Sequence, residues 1–260
     1  MNQRLFIFTG KGGVGKTSVA LAYSLHLKKL GHKVKYNSFY LPPENDLVEK
    51  LNVPMFNMSV EESAEIYIGN KLGSKTIATW IMATHFFKSL FQMIPGLGHM
   101  ILLGHILKEL ELDPELIIVL DSPASGHALT MFESSSNFKR IFKTGLIVND
   151  IEKMKLQLED PHFLKTFIVA LPNELAIAEA NDVQNELSEV YKNLQIIINN
   201  SLVGYFNQNQ ISFENLPDVI SSKISIENQV LNGFFAIPHV PLNDFSEVVF
   251  EIEKNLGGLE

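Results

Sequence analysis

Gly10-Lys11-Gly12-Gly13-Val14-Gly15-Lys16-Thr17 stands directly after the apolar run Leu5–Thr9 and directly before a helical pattern over Ser18–Leu30. A glycine-rich turn between a strand and a helix lets consecutive backbone N–H groups face a chain of phosphates. Side chains at Gly12, Gly13 or Gly15 would obstruct that approach. Lys16 then supplies a compact positive charge to the β- and γ-phosphates, and the Thr17 hydroxyl is placed to ligate Mg²⁺. Val14 and Ser18 complete the cradle. The stretch therefore predicts a phosphate-binding loop that takes ATP with Mg²⁺.

Working outward, short runs rich in β-branched and aromatic residues recur at Val34–Ser38, Leu116–Leu120, Phe167–Leu171, Gln195–Ile198 and Phe234–Ile237. Most are continuously apolar rather than alternating, as expected of strands buried on both faces. Helical patterns separate them. The first stops at Gly31, and Ser59 with Glu62 forms a capping box for a helix to about Ile68. Asn149 or Asp150 can cap a helix that ends near Asp160-Pro161, and Glu179–Leu194 reads as another. Strands alternating with helices predict an α/β, doubly wound, mostly parallel sheet of the P-loop NTPase kind. With no repeat or Gly/Ser linker in sight, residues 1–260 read as a single domain. A helical elaboration covers about residues 45–112, between the second and third strands.

Within it, Lys75–Ile94 reads as a helix with Ile77, Trp80, Ile81, Thr84, Phe87, Phe91 and Ile94 on one face. Met82, Phe86 and Met93 lie opposite. A helix apolar nearly all round is expected in a core or a dimer interface. The sharper alternative is a groove for an apolar protein client, because Met- and Phe-rich surfaces adapt to varied ligands.

Composition removes several classes of function. The formal net charge of −8, without a Lys/Arg cluster, argues against a nucleic-acid partner. The absence of cysteine excludes disulfides, iron–sulfur clusters and thiolate metal sites. The apolar region Ile77 to Leu107 carries His85, Lys88, Gln92 and His99 and is split by Pro95-Gly96, so it offers no clean membrane span. Met1-Asn2-Gln3-Arg4 runs straight into the first apolar run, and the C-terminal stretch from Glu247 is acidic. Both lead us to expect a cytoplasmic protein without direct membrane insertion.

The lysine at position 11 narrows the reading. The loop resembles the deviant Walker A motif of the clade that includes the arsenite-pump and tail-anchored-protein-targeting ATPases. That resemblance implies a nucleotide-sandwich dimer, with itself or with a related ATPase, in which Lys11 stabilises charge in the partner's site. Asp121-Ser122-Pro123-Ala124-Ser125-Gly126-His127 directly follows the third strand. It is similar to the switch II of the same family, especially its bacterial branch. Asp121 would then hold the Mg²⁺ hydration shell, and Gly126 and His127 would sense the γ-phosphate. Ile94-Pro95-Gly96-Leu97, Leu158-Glu159-Asp160-Pro161 and the run from Phe167 to Glu174 are similar to family segments in the same order. The resemblance also implies that Asn199 reads the adenine edge and that the loop at Pro238 covers the ring.

One position departs from the pattern. The family's switch I begins with an aspartate that orients the attacking water, and alignment on Lys33-Val34 puts Tyr40 there. Tyrosine is no base at neutral pH without a large pKa shift, so hydrolysis is expected to be slow, unless Glu44 or Asp46 substitutes. Without cysteine, the family's thiolate arsenite activation and zinc-stapled dimers are both excluded. Two functions remain. One is a Mg²⁺-dependent ATPase switch with Lys11, Lys16 and Asp121 as its catalytic groups. The other is a nucleotide-binding regulatory or scaffold subunit paired with an active paralogue.

Overall fold

A computed structural model of the chain describes residues 3–38, 49–85, 87, 89, 96–122 and 146–259. Strand β1 (Leu5–Gly10) carries the quoted loop, and its alternation divides the molecule into two layers. Phe6 and Phe8 point to one side of the sheet, Leu5 and Ile7 to the other, and all four are buried. Helix α1 (Lys16–Lys29) lies on the first side. Its Tyr23 joins Phe6, Phe8 and Phe167 in an aromatic cluster with centroid separations from 4.9 to 6.2 Å. Each such ring contributes roughly 1.5–3 kcal/mol by leaving water, so the helix behind the loop is firmly seated.

The sheet continues through β2 (Lys33–Ser38), β3 (Leu116–Asp121), β4 (Leu164–Ala170), β5 (Leu194–Ser201) and β6 (Phe235–Pro238). Its six strands run in the order β2-β3-β1-β4-β5-β6, and every pairing is parallel. The strand order reverses around β1, and ligands of such sheets bind at the carboxyl ends of the strands at that point. Helix α9 (Phe245–Lys254) joins α1 on the first face, where the Glu253 carboxylate receives Lys29 at 2.5 Å.

Between β2 and β3 come α2 (Val60–Leu72), α3 (Lys75–Ala83) and α4 (Leu97–Leu112), in the place expected of the helical elaboration. Leu102, Leu103, Ile106, Leu107 and Leu110 of α4 cover the second face of the sheet, with α5 (Leu146–Leu158) and α6 (Glu174–Ser188) beside them. The chain leading into α2 is knitted to the edge strand β2. Tyr36 donates its N–H to Pro54 O, and Phe56 N–H donates to Tyr36 O, both at 2.8 Å. Helices α7 (Leu202–Gln208) and α8 (Asp218–Val230) link β5 to β6. No helix of the described residues is long and apolar enough to cross a membrane.

Four expectations need correction. Helix α3 ends at Ala83, because Thr84 turns extended (φ −69°, ψ 144°), so a continuous helix over Lys75–Ile94 does not form. Its Ala78 is buried, yet Ile77 is 49% and Trp80 72% exposed, so this face is not core. Helix α5 begins at Leu146, which puts Asn149 and Asp150 inside it. Asp150 instead accepts the Tyr67 hydroxyl at 2.9 Å and Lys71 at 2.7 Å, tying α5 to α2. Helix α6 starts at Glu174, not Glu179, because the Asn173 side chain caps it by accepting from Ala176 N–H. The same helix stops at Ser188, and Leu194 opens β5. The expected box at Ser59 is half formed: its hydroxyl accepts the Glu62 N–H at 3.0 Å.

Candidate functional site

The loop between β1 and α1 turns on two left-handed glycines, Gly13 (φ +82°) and Gly15 (φ +88°). Gly15 is the N-cap of α1, and no side chain caps this helix; its first turn also carries no acidic residue. The first-turn N–H groups are therefore left for an outside anion, which the helix dipole favours. An added Cβ at Gly12 or Gly13 would meet nothing within 4 Å among the described residues. At Gly15 a Cβ would lie 2.3 Å from Asn199 Nδ2, which donates to Val14 O at 2.9 Å. Asn199 thus braces the loop from the end of β5.

Lys16 Nζ folds back across the loop and donates to Lys11 O at 3.0 Å. Burial draws its ammonium below the ordinary lysine pKa, with the Asp121 charge acting the other way. Opposite it, the Thr17 hydroxyl donates to Asp121 Oδ2 at 2.6 Å. Asp121 is 8% exposed at the end of β3, and burial raises its pKa against donors from Thr17 and Tyr36 and the charge of Lys16. Its Oδ1 is buried without a hydrogen-bond partner among the described residues. An orphaned carboxylate oxygen next to a threonine hydroxyl with free lone pairs suits a hydrated Mg²⁺. No cluster of three or more His, Asp or Glu that could hold an ion by itself occurs among the described residues. A Mg²⁺ shared with nucleotide phosphates needs none.

The second donor to Asp121 was not foreseen from sequence. Tyr36, fully buried in β2, gives its hydroxyl to Oδ2 at 3.0 Å. Burial, then the neighbouring carboxylate, hold its pKa far above the ordinary value, so it stays a donor. In the strand it is indistinguishable from an apolar core residue; only the pairing of β2 with β3 discloses it.

Lys11 is largely exposed and pairs with Glu179 of α6 in its own chain. Pro238 closes β6 opposite Ser201, and the neighbouring His239 N–H donates to Ser201 O at 2.8 Å. The His239 ring meets Asn200 Oδ1 and the edge of Tyr205. Pro238 thus adjoins the end of β5 through Ser201, while the Asn199 side chain is turned to Val14 of the loop.

Comparison with known proteins bears on the same region. A family model described as "Anion-transporting ATPase" matches residues 3–38, which span β1, the loop, α1 and β2. The "Putative arsenical pump-driving ATPase 1" of Aquifex aeolicus (strain VF5) is 25% identical over 195 residues, 66% of this chain and 47% of the relative. Over these residues the chain is similar to an anion-transporting ATPase family model and to one arsenical pump-driving ATPase. It spans about half the length of the curated relative it matches. The structure brings the loop, Thr17 and Asp121 together through the Thr17–Asp121 hydrogen bond. Gly126 and His127 of the switch II segment, and Tyr40, Glu44 and Asp46 of switch I, lie outside the described residues.

Proposed function

We propose that this chain is an ATPase of the arsenite-pump kind, a Mg²⁺-dependent ATP-binding switch that hydrolyses ATP slowly and works as a dimer. The observation that carries the reading is the 2.6 Å contact of Thr17 with the buried Asp121 in front of an uncapped helix N-terminus. The loop N–H groups and Lys16 would hold the phosphates, while Thr17 and Asp121 would hold the ion. Mg²⁺, when bound, supplies charge neutralisation at the β- and γ-phosphate oxygens. What Lys16 and the loop do is position, and positioning with electrostatic stabilisation is most of what phosphoryl transfer asks of a protein.

The expected rate is low because the water-orienting carboxylate is missing from the sequence at Tyr40. Calorimetry should give ATP binding that strengthens with Mg²⁺, and steady-state turnover should fall well below about 10 per second. Tyr40→Asp should raise turnover without tightening binding. No ATP binding at all would end this reading. Brisk hydrolysis by the unmodified chain would overturn the slow-switch part alone and direct attention to Glu44 and Asp46.

Dimerisation, with a second copy or a related ATPase, follows from the kind of loop lysine that Lys11 is. Its ion pair with Glu179 is exposed and therefore cheap to exchange for a contact in a partner. An apolar protein client is proposed for the exposed Ile77 and Trp80 on α3. Nucleic acid is not proposed as a partner for a chain of net charge −8, nor is membrane insertion, and the setting proposed is the cytoplasm. The second reading, a regulatory subunit with little turnover, is favoured by Tyr40 alone and predicts ATP binding without measurable hydrolysis.

A further inference from the structure

Asp121 is held by two hydroxyls on one oxygen. Thr17 Oγ1 lies 2.6 Å and Tyr36 Oη 3.0 Å from Oδ2, while Oδ1 is buried and has no partner among the described residues. The two donors differ in what they are attached to. Thr17 belongs to the loop and first turn of α1, the part that must accommodate the phosphates. Tyr36 belongs to the sheet: its Cα is registered against Val119 of β3, two residues before Asp121. Its main chain is also bonded on the outer side, to Pro54 and Phe56, and its ring is fully buried. The hydroxyl therefore has little freedom to swing, and the carboxylate it touches has a fixed reference.

We propose that Tyr36 is the positioning residue of the metal site, its hydroxyl fixing the Asp121 carboxylate through Oδ2 so that Oδ1 is presented to the hydration shell of nucleotide-bound Mg²⁺. The proposal rests on the ATP-binding reading above and deepens it. A carboxylate held by Thr17 alone would follow every adjustment of the loop. One held also from the neighbouring strand keeps its orientation while the loop closes, and losing such an outer contact typically costs about 10–100-fold in metal affinity. Tyr36 touches neither nucleotide nor reacting atoms in this account. It acts through Asp121.

The test is a Mg²⁺ titration of nucleotide binding, read by a fluorescent ATP analogue, on the parent chain and on Tyr36→Phe. The phenylalanine keeps the buried ring and removes only the hydroxyl. Half-saturating Mg²⁺ should rise about tenfold, while analogue affinity in EDTA stays as in the parent. In an Asp121→Asn background the same Tyr36→Phe change should add nothing to the Mg²⁺ dependence, because the group it acts through has lost its charge. An unchanged Mg²⁺ requirement in Tyr36→Phe overturns the proposal. So does an equal loss of affinity in EDTA, which would make Tyr36 a packing residue. An additional effect in the Asp121→Asn background would also overturn it. If Tyr36→Phe does not fold, the same comparison in Asp121→Asn still decides: a Mg²⁺ requirement as in the parent would show that the fixed carboxylate has no role at the metal. A parent chain whose nucleotide binding ignores Mg²⁺ would instead sink the functional reading itself.

Discussion

Gly15→Ala should destabilise the chain by about 2–3 kcal/mol before any nucleotide is added. Two costs add. Gly15 sits at φ +88°, where a left-handed alanine is less favourable by about 1–2 kcal/mol. Its new Cβ would also lie 2.3 Å from Asn199 Nδ2, and that amide is held at 2.9 Å to Val14 O. Relieving the overlap means giving up a buried hydrogen bond, about 1 kcal/mol more. For a chain of this size each kcal/mol lowers Tm by about 2–4 °C, so the melt should fall by about 5–10 °C. Gly12→Ala is the control: its Cβ meets nothing within 4 Å among the described residues, and its backbone is not left-handed. That variant should melt like the parent without nucleotide and lose much of the rise in Tm that Mg²⁺-ATP produces. Differential scanning fluorimetry, with denaturant melts, reads both effects. In an Asn199→Ala background Gly15→Ala should cost only the left-handed strain, because the overlap is gone. A Gly15→Ala melt within a degree of the parent would refute the reasoning. So would a Gly12→Ala protein as unstable as Gly15→Ala.

Lys16→Ala removes the phosphate-facing charge and leaves the loop's N–H groups, so ATP affinity or turnover should drop at least about tenfold by calorimetry or steady-state assay. Lys11→Ala should abolish nucleotide-dependent self-association in light scattering, while Glu179→Gln, which frees the lysine from its own chain, should strengthen it. Neither should shift the melt by more than about 1 kcal/mol, because the pair is exposed. His105, held by Ser63 O at 3.0 Å, has its pKa lowered from 6.5 chiefly by burial. The folded form therefore binds this proton less readily than the unfolded chain. Its contribution is intact above about pH 6.5 and lost as pH falls toward the lowered value. Stability measured between pH 7 and 5 should decline less steeply in His105→Gln.

The sequence by itself determined the phosphate loop and the strands around it. Gly13, Gly15, Lys16 and Thr17 must be those residue types for reasons internal to eight consecutive positions, and local chemistry is what a sequence states directly. The parallel strands were legible for a related reason: burial on both faces leaves unbroken apolar runs such as Leu116–Leu120. Asp121 was legible because it ends such a run. Helix limits were less so. Asn173 and Asn149 are both competent caps, yet Asn173 caps α6 while Asn149 lies inside α5. Apolar periodicity likewise left Ile77 and Trp80 between a core and an interface, and their exposure removes only the core, since a hydrophobic face does not name its partner. The tertiary structure alone decided the contacts between segments far apart in the chain. Strand order brought Asn199 behind Val14, set Glu179 against Lys11, and laid β2 beside β3 so that Tyr36 reaches Asp121. Those pairings depend on which strands become neighbours across long crossovers, and no local pattern in the sequence states that order.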